Sequence, residues 1–227
     1  MTSIVAHRGA PGAGRTEDNS LDAFERAIAV GADLIEFDVR RTRDDALVAF
    51  HDATVRGRPI GRLTRAEVGE ATGHPPPLLD DVLALAAGRI GLDVELKEAG
   101  YVDRVLDALA ASFAGELVVT SFLDPVVAEV KRRSPGTRAG LLIGVGRPSE
   151  LTPVSRAKRC DADLLALHHF AARGAVGRAA DAGFPVFVWT VNPAAQLRRW
   201  IADERVEAVI TDVPERALAI RDEVAAA

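Results

Sequence analysis

Short runs of aliphatic and β-branched residues alternate with longer helical patterns from one end of this 227-residue chain to the other. Eight such runs are predicted strands, at residues 3–6, 34–39, 90–96, 117–120, 138–143, 164–167, 186–190 and 208–211. Strict alternation of strands and helices is typical of a parallel sheet, and eight units in about this length predict an α/β fold, the closed (β/α)8 TIM barrel. An open doubly wound sheet is the alternative, but the glycine-rich first turn of a dinucleotide-binding fold is missing.

The segments between these strands carry the start and stop signals of helices. Helices are predicted at residues 21–30, 79–87, 102–112, 125–133, 172–182, 193–203 and 214–224, and the weakest helical pattern lies at 148–158. Asp124, Asn192 and Asp212 each stand shortly before a proline, so we predict that they are N-caps. Either Asn19 or Ser20 is the predicted N-cap of the first helix.

One segment interrupts the alternation. After the second strand, residues 47–50 are predicted to form an extra short strand, and residues 56–77 are rich in glycine, proline and arginine, with one helical pattern at 65–71. We interpret the segment as an excursion over one end of the barrel, because no linker or repeat separates it from the rest. The prediction is therefore one barrel domain over residues 1–227, with a short insertion at about 53–77.

Composition and charge exclude several classes of partner. The net charge is −5 and no basic run is present, so a nucleic acid is not an expected partner. No stretch approaches the ~18–20 uninterrupted apolar residues of a membrane span, and the apolar run before His7 is too short for a signal segment. The single cysteine, Cys160, excludes an internal disulfide framework and is typical of a reducing compartment. We therefore predict a cytoplasmic protein without stable membrane insertion, and the oligomeric state stays open.

Acidic residues occupy one face of two predicted strands. Because side chains alternate along a strand, Glu36 and Asp38 point away from their apolar neighbours, as do Glu95 and Lys97 in the next barrel strand. If the apolar faces pack on outer helices, the acids point into the barrel near the carboxyl ends of the strands, where barrel enzymes have their sites. Buried carboxylates need a cation, so Glu36, Asp38 and Glu95 are predicted ligands of Mg²⁺ or Ca²⁺. The alternative is an internal salt-bridge network with Lys97 and Arg8.

Two histidines follow strands that flank the first acidic strand. His7 comes after the first strand, and His51 comes after the extra short strand. Near neutral pH an imidazole both accepts and donates a proton, and phosphodiester cleavage needs a base for the nucleophile and an acid for the leaving oxygen. His7 and His51 are therefore candidate acid–base residues. Asp52 either orients His51 or caps the next turn, and Arg8 either binds a phosphate oxygen or pairs with an acid.

Three further places carry weaker signals. Trp189, at the end of a predicted strand, is either a wall of a substrate pocket or ordinary core filling. Glu17 and Asp18 precede the first helix, and one of these acids is a candidate to reach the site. His168 and His169 follow another strand and are candidates for the rim of the site, but they rank below the two histidines above because no acid flanks them.

The order of these motifs along the chain resembles the glycerophosphodiester phosphodiesterase family. The motifs are His7-Arg8-Gly9, the acids before Asn19-Ser20-Leu21-x-Ala23-Phe24, residues 31–39, Thr42-x-Asp44 and His51-Asp52. Supporting stretches follow at residues 95–97, 121–122, 188–192 and 211–214. The resemblance covers nearly the whole chain, and its first set of motifs is the more specific one.

The resemblance implies a (β/α)8 barrel that hydrolyses glycerophosphodiesters to glycerol 3-phosphate and an alcohol. It also implies a role for individual residues. By similarity, His7 and His51 are the acid–base pair, Glu36, Asp38 and Glu95 hold a divalent metal, Arg8 and Lys97 face the phosphate, and Trp189 lines the pocket.

The chain departs from the family pattern in two places. The family has a glutamate directly before the asparagine, whereas here Asp18 takes that place and Glu17 stands one residue earlier. Either acid could serve, and Glu17 is a candidate substrate-binding residue. The segment after His51-Asp52 is shorter than is usual in the family, so the headgroup preference stays open.

Two other functions are alternatives. A lysophospholipase D-like lipid phosphodiesterase on the same barrel would need an apolar path for an acyl chain, and the few large apolar residues in 53–77 weigh against it. A catalytically silent barrel that binds a phosphorylated ligand would be expected to lack a histidine or a metal ligand, and none is lost.

Overall fold

The computed structural model describes residues 1–11, 18–145 and 152–226, and within these ranges eight parallel strands close into a ring. In chain order the strands are β1 (Ser3–His7), β2 (Leu34–Arg41), β3 (Leu47–Ala49), β4 (Thr54–Val55), β5 (Arg58–Pro59), β6 (Gly91–Leu96), β7 (Leu117–Ser121), β8 (Arg138–Ile143), β9 (Leu164–His168), β10 (Val186–Trp189) and β11 (Val206–Thr211). The ring runs β1-β2-β6-β7-β8-β9-β10-β11, and β11 pairs back onto β1. The predicted (β/α)8 barrel is confirmed, and each barrel strand ends within two residues of its predicted bounds.

Helices cover the outside of the ring, and one further helix, the second in the chain, lies in the excursion after β2. They are α1 (Leu21–Val30), α2 (Arg65–Thr72), α3 (Leu79–Ala86), α4 (Val102–Ser112), α5 (Asp124–Arg133), α6 (Pro153–Arg159), α7 (His169–Asp181), α8 (Ala194–Ile201) and α9 (Pro214–Ala225). The predicted helix at 148–158 corresponds to α6, and its residues 148–151 lie outside the described residues. Across the described ranges, no helix combines the length and apolar character needed to cross a bilayer.

The helix ends show where the cap predictions hold and where they are wrong. Ser20 caps α1, since its side chain accepts a hydrogen bond from the Ala23 N–H, and Gly31 ends the helix with a φ of 81°. The predicted caps before the three prolines are wrong, because Leu123, Pro193 and Val213 hold the N-cap positions of α5, α8 and α9. The three predicted caps instead form hydrogen bonds with other side chains; they are Asp124, Asn192 and Asp212.

The two faces of the barrel strands have different surroundings. On the outer face of β2, the buried side chains of Ile35, Phe37 and Val39 belong to the main core under the helices, where the Phe37 ring lies 5.8 Å from that of Phe24. A second apolar cluster belongs to the other strand face and fills the ring; it includes Val5, Leu34, Val118, Leu142, Leu164, Phe187 and Ile210. Apolar side chains therefore fill the base of the barrel, and its polar residues lie at the mouth, the end of the barrel at the carboxyl ends of the strands.

The excursion after β2 is tied to the barrel by β3, which runs antiparallel to β2. The β4–β5 hairpin, a single 3-10 turn (Ile60–Arg62) and α2 follow. They enclose a small apolar cluster of Val55, Ile60, Leu63 and Val68. Thr64 and Glu67 form a capping box at the start of α2, with Thr64 accepting from the Glu67 N–H and Glu67 accepting from the Thr64 N–H.

Candidate active site

One pocket at the carboxyl ends of the barrel strands gathers most of the residues that the sequence singled out. Its lining consists of His7, Arg8, Glu36, His51, Asp93, Glu95, Lys97, Thr120, Phe122, Leu142, Trp189 and Ile210. A larger open cavity of about 710 Å³ lies at the opposite end, where the first two residues, the start of β11 and the last turns of α8 and α9 meet. No histidine lines that larger cavity in the described part of the chain, so the chemistry is expected in the smaller pocket.

Three carboxylates meet on adjoining strands inside the mouth. Glu36 and Asp38 are on β2, Glu95 is on β6, and Asp38 and Glu95 are register partners across the two strands. All three are buried, and one oxygen from each lies within 4.8 Å of the others. This spacing is suited to a shared divalent cation with oxygen ligands.

Two side-chain cations already lie among these acids. The Lys97 Nζ is 2.6 Å from both the Asp38 Oδ1 and the Glu95 Oε1. The Arg8 Nε is 3.2 Å from the Asp38 Oδ2. The salt-bridge network that the sequence offered as an alternative is therefore present, and it satisfies Asp38 best. Glu36 differs, because among the described residues no lysine or arginine side chain lies within ion-pair distance of it, and it accepts only the Arg8 backbone N–H at 3.0 Å.

A fourth acid lies deeper on the same face of β6. The Asp93 side chain is buried opposite Glu36 and accepts one hydrogen bond, from the Thr120 hydroxyl at 2.8 Å. Its other oxygen has no hydrogen-bond partner among the described residues. Burial raises the pKa of Asp93 to about 7. Asp93 is not among the residues that the sequence singled out, although it stands two residues before Glu95 and therefore on the same strand face.

Carboxyl groups outnumber cationic side chains at the mouth of the barrel, and this excess bears on whether a divalent ion fits the site. Burial raises the pKa of Glu36 well above its usual range and that of Glu95 to about 7. Burial opposes ionisation of Asp38 as well, but Lys97 and Arg8 outweigh it and lower the pKa of Asp38 to about 2. Four buried carboxyl groups thus share two side-chain cations within the described ranges, and a divalent ion fits a site with this excess of acid.

A carboxylate that is distant in sequence orients the first histidine. The His7 Nδ1 is 2.5 Å from the Asp212 Oδ1, and the Asn192 side-chain N–H donates to the other Asp212 oxygen at 2.6 Å. The side-chain oxygen of Asn192 in turn accepts the Asp212 backbone N–H at 3.0 Å. The His7 Nε2 is left facing the pocket, 3.9 Å from the Glu36 Oε2. The interpretation of Asp212 as a helix cap is wrong, because this carboxylate binds an imidazole.

The second histidine is held more loosely. The His51 Nδ1 is 2.8 Å from the Asp52 Oδ1, so Asp52 orients the ring. The side chains of His51 and Asp52 are 42% and 70% exposed, compared with 18% for the His7 side chain. Burial of part of the ring lowers the pKa of His51. Both imidazoles line the same pocket, as the sequence predicted.

Asn19 is a site residue that the sequence reasoning missed. Its backbone has a φ of 58°, and its side chain donates to the Asp38 Oδ2 at 2.8 Å and accepts the Asp38 N–H at 3.1 Å. The only structural role that the sequence predicts for Asn19 is a helix cap, although its place beside two acids in the loop after β1 is a usable signal. Asp18 lies 3.5 Å from the Arg8 Nη1 on the exposed side of the loop. The predicted candidate Glu17 lies outside the described residues.

Aromatic rings form another part of the pocket wall. The Phe122 and Trp189 rings pack edge to face with centroids 5.4 Å apart, and the Trp189 indole N–H donates to the Ala166 carbonyl at 2.9 Å. His168 packs against Trp189 at 5.0 Å and lies 5.4 Å from Phe170, which is 60% exposed. A continuous aromatic strip, here Phe122, Trp189, His168 and Phe170, therefore runs from the pocket to the solvent.

Comparison with known proteins places these features in a family. A model of the glycerophosphoryl diester phosphodiesterase family matches residues 7–216. A glycerophosphodiester phosphodiesterase from Caldanaerobacter subterraneus is 30% identical, over 94% of this chain and 95% of that relative. The structure of a glycerophosphodiester phosphodiesterase from Parabacteroides distasonis matches with a TM-score of 0.84 at 27% identity, covering 99% of this chain and 98% of that one. A phosphodiesterase from Oleispira antarctica, solved with the product sn-glycerol-3-phosphate, shares the fold with a TM-score of 0.82 at 21% identity, covering 98% of this chain and 97% of that one.

Proposed function

The chain belongs to the glycerophosphoryl diester phosphodiesterase family, and we propose that this phosphoric diester hydrolase cleaves glycerophosphodiesters to glycerol 3-phosphate and an alcohol. The observation that carries the proposal is the shared pocket, in which two carboxylate-oriented imidazoles adjoin three buried acids. Imidazoles supply acid–base catalysis near neutral pH, and clustered carboxylates hold the hard cations that assist phosphoryl transfer.

Glu36, Asp38 and Glu95 are the proposed metal ligands. Their oxygens are clustered and buried, and Glu36 has no competing cationic side chain within the described ranges. A hard ion with oxygen ligands, Mg²⁺ or Ca²⁺, matches this donor set. When bound, such an ion supplies Lewis-acid polarisation of a phosphoryl oxygen.

The two histidines are the proposed proton-transfer groups. In each ring the Nδ1 is engaged by a carboxylate, Asp212 for His7 and Asp52 for His51. The Nε2 of each ring is thereby left to exchange a proton, one with the attacking water or glycerol hydroxyl and the other with the leaving oxygen. Arg8 and Lys97 line the same pocket, where their positive charge would offset the charge of the phosphoryl group.

The reaction is tested by identifying products. We expect the purified protein with Mg²⁺ or Ca²⁺ to convert glycerophosphocholine into equal amounts of glycerol 3-phosphate and choline. Phosphorus NMR measures the loss of the diester and the formation of glycerol 3-phosphate. Formation of phosphocholine and glycerol would show cleavage of the other ester bond, and no turnover would argue against the proposed activity.

Removing the charge of Asp212 is expected to weaken catalysis through His7. Asp212→Asn keeps the shape of the side chain but supplies an amide beside the imidazole, so we expect kcat to fall roughly 10- to 100-fold. The matched control is Asp124→Asn, which removes a carboxylate paired with Arg156 at the start of α5. Steady-state kinetics on glycerophosphocholine measure both variants, and an equal loss in the two would contradict an orienting role.

A lipid-directed activity is the second candidate, and the aromatic strip favours it. The excursion offers little apolar surface, but Phe122, Trp189, His168 and Phe170 provide an apolar path on the opposite side of the mouth. An acyl chain lying on this strip would allow lysophosphatidylcholine to be a substrate.

The exposed end of the strip gives a selective test. Phe170→Ala is expected to raise the KM for lysophosphatidylcholine about fivefold or more and to leave glycerophosphocholine kinetics unchanged, because the ring lies outside the pocket lining. Both substrates are assayed with the wild-type protein and the variant. No turnover of the lipid by the wild-type protein, or an equal effect of the substitution on both substrates, would rule out this second function.

We also infer that residues 1–227 form one barrel domain with an insertion at about 53–77, and that the protein acts in the cytoplasm on small molecules. The small cluster of the excursion packs beside β2 and the barrel wall, which supports the single domain. The net charge of −5 and the free, buried Cys160 support the other two inferences.

A further inference from the structure

A buried arginine reaches the backbone of the second histidine. Arg40 follows Glu36 and Asp38 on the same face of β2, and it is only 7% exposed. Its Nε donates a 2.8 Å hydrogen bond to the carbonyl of His51. Its Nη1 forms an ion pair with Glu98, which follows Lys97. A buried guanidinium with two directed partners fixes the relative position of the groups that it joins.

His51 has few other restraints. The strand before it, β3, has only three residues; it pairs with β2 in the sheet, and on its other side it is joined to the following segment by an isolated bridge between Val48 and Leu78. The last backbone tie before the histidine is the Phe50 N–H, which donates to the Asp38 carbonyl at 2.9 Å. The side-chain partner Asp52 is itself largely exposed, whereas Asp212, the partner of His7, is held by Asn192. The position of His51 therefore depends on backbone anchors more than that of His7 does.

The other end of the arginine is also anchored to β2. The Glu98 N–H donates to the Tyr101 hydroxyl at 3.2 Å, and that hydroxyl donates to the Val39 carbonyl at 2.7 Å. The loop after β6 is thus tied to the end of β2, and Arg40 extends the tie to the loop that carries His51. One side chain links the loop of Lys97 to the loop of His51.

We propose that Arg40 is a positioning residue that holds the His51 imidazole at the scissile bond. The proposal rests on the acid–base role of His51 proposed above. Arg40 is absent from the pocket lining, so it acts through the His51 backbone and not through the substrate. Catalysis is sensitive to small displacements of an acid–base group, and removal of its anchor is expected to lower kcat more than it changes KM.

The first test is Arg40→Met, which keeps the aliphatic stem and removes the hydrogen bond and the charge. We expect kcat on glycerophosphocholine to fall about tenfold, with KM changed less than about threefold. Arg40→Lys, which keeps one cationic donor, is expected to recover part of the loss. The matched control is Arg138→Met, which removes an arginine paired with Glu207 at the opposite end of the barrel and is expected to leave kcat unchanged.

The decisive comparison uses His51→Ala as the background. If Arg40 acts through His51, Arg40→Met adds no further loss to the residual activity of His51→Ala, because the group that it positions is gone. A tenfold loss of kcat in both backgrounds would overturn the proposal. A weaker Ca²⁺ affinity of Arg40→Met, measured by calorimetry and large enough to explain its loss of kcat, would also overturn it. Wild-type activity in His51→Ala itself would instead refute the proposed role of the histidine.

A milder variant covers the case in which Arg40→Met does not fold. Glu98→Gln removes the negative charge that pairs with Arg40, at a half-exposed position. The hydrogen bond from Arg40 to the His51 carbonyl is kept, but the guanidinium loses its counterion. We expect a loss in kcat of about threefold that also disappears in the His51→Ala background. A loss of the same size in that background would overturn the proposal.

Discussion

Replacing either His7 or His51 with alanine is expected to lower kcat on glycerophosphocholine by ~10²-fold or more, because each ring transfers one of the two protons that the reaction moves. The two rings line one pocket, and a carboxylate fixes the Nδ1 of each. An alanine leaves no titratable group in either place. Initial rates over a range of substrate concentrations, taken near neutral pH, give kcat and KM for each variant.

A third histidine provides the control. His74 is exposed in the excursion and does not line the active pocket. His74→Ala is expected to keep the wild-type kcat, and circular dichroism checks that all three variants are folded. Near wild-type rates in His7→Ala or His51→Ala would refute the proposed acid–base roles.

Removing the metal is expected to abolish activity, with less than about 1% remaining in excess EDTA and recovery on addition of Mg²⁺ or Ca²⁺. Glu36→Gln, Asp38→Asn and Glu95→Gln are each expected to cause losses of roughly 100-fold, because each removes one of the clustered ligand oxygens. Glu207→Gln, which removes an acid paired with Arg138 away from the mouth, is the matched control. Full activity in chelator would contradict the metal role.

Binding of the ion also has a signature that does not depend on activity. In the metal-free site burial raises the pKa of Glu95 to about 7, so the folded state favours its protonated form more than the unfolded chain does. The stability from this shift is present at low pH and is lost as the pH rises through about 7. A divalent ion binds the ionised form, so the increase in Tm on adding Ca²⁺ is expected to be larger at pH 8 than at pH 6. Calorimetry at the two pH values measures it, and a larger increase at pH 6 would contradict this account.

Much of the fold was predictable because it depends on local patterns. Each apolar run in the sequence became a barrel strand, since period-two alternation and chain length together leave few architectures open. The inward direction of Glu36, Asp38 and Glu95 followed from the same alternation. The helix ends were less predictable: α7 begins at His169, three residues before the predicted start, because the His168 side chain accepts the Phe170 N–H and caps it.

The parts that the sequence did not predict depend on contacts between distant residues. Asp212 lies 205 positions after His7, and the local signal of a proline two residues later pointed to a helix cap. Asn19 is a predicted alternative for a helix cap and Arg40 has no predicted role, yet the Asn19 side chain binds Asp38 and the Arg40 side chain binds the His51 carbonyl. Such partners become neighbours only when the ring of strands closes, so periodicity along the chain carries no information about them.

The central claim is that a divalent ion is bound among Glu36, Asp38 and Glu95 while His7 and His51 contact the phosphate. A crystal structure with Ca²⁺ and sn-glycerol 3-phosphate tests it most directly. We expect anomalous density with carboxylate oxygens at about 2.3–2.6 Å and both imidazoles within about 3.2 Å of phosphate oxygens. A phosphate bound outside this pocket, or an ion bound elsewhere while Lys97 still bridges Asp38 and Glu95, would contradict the claim.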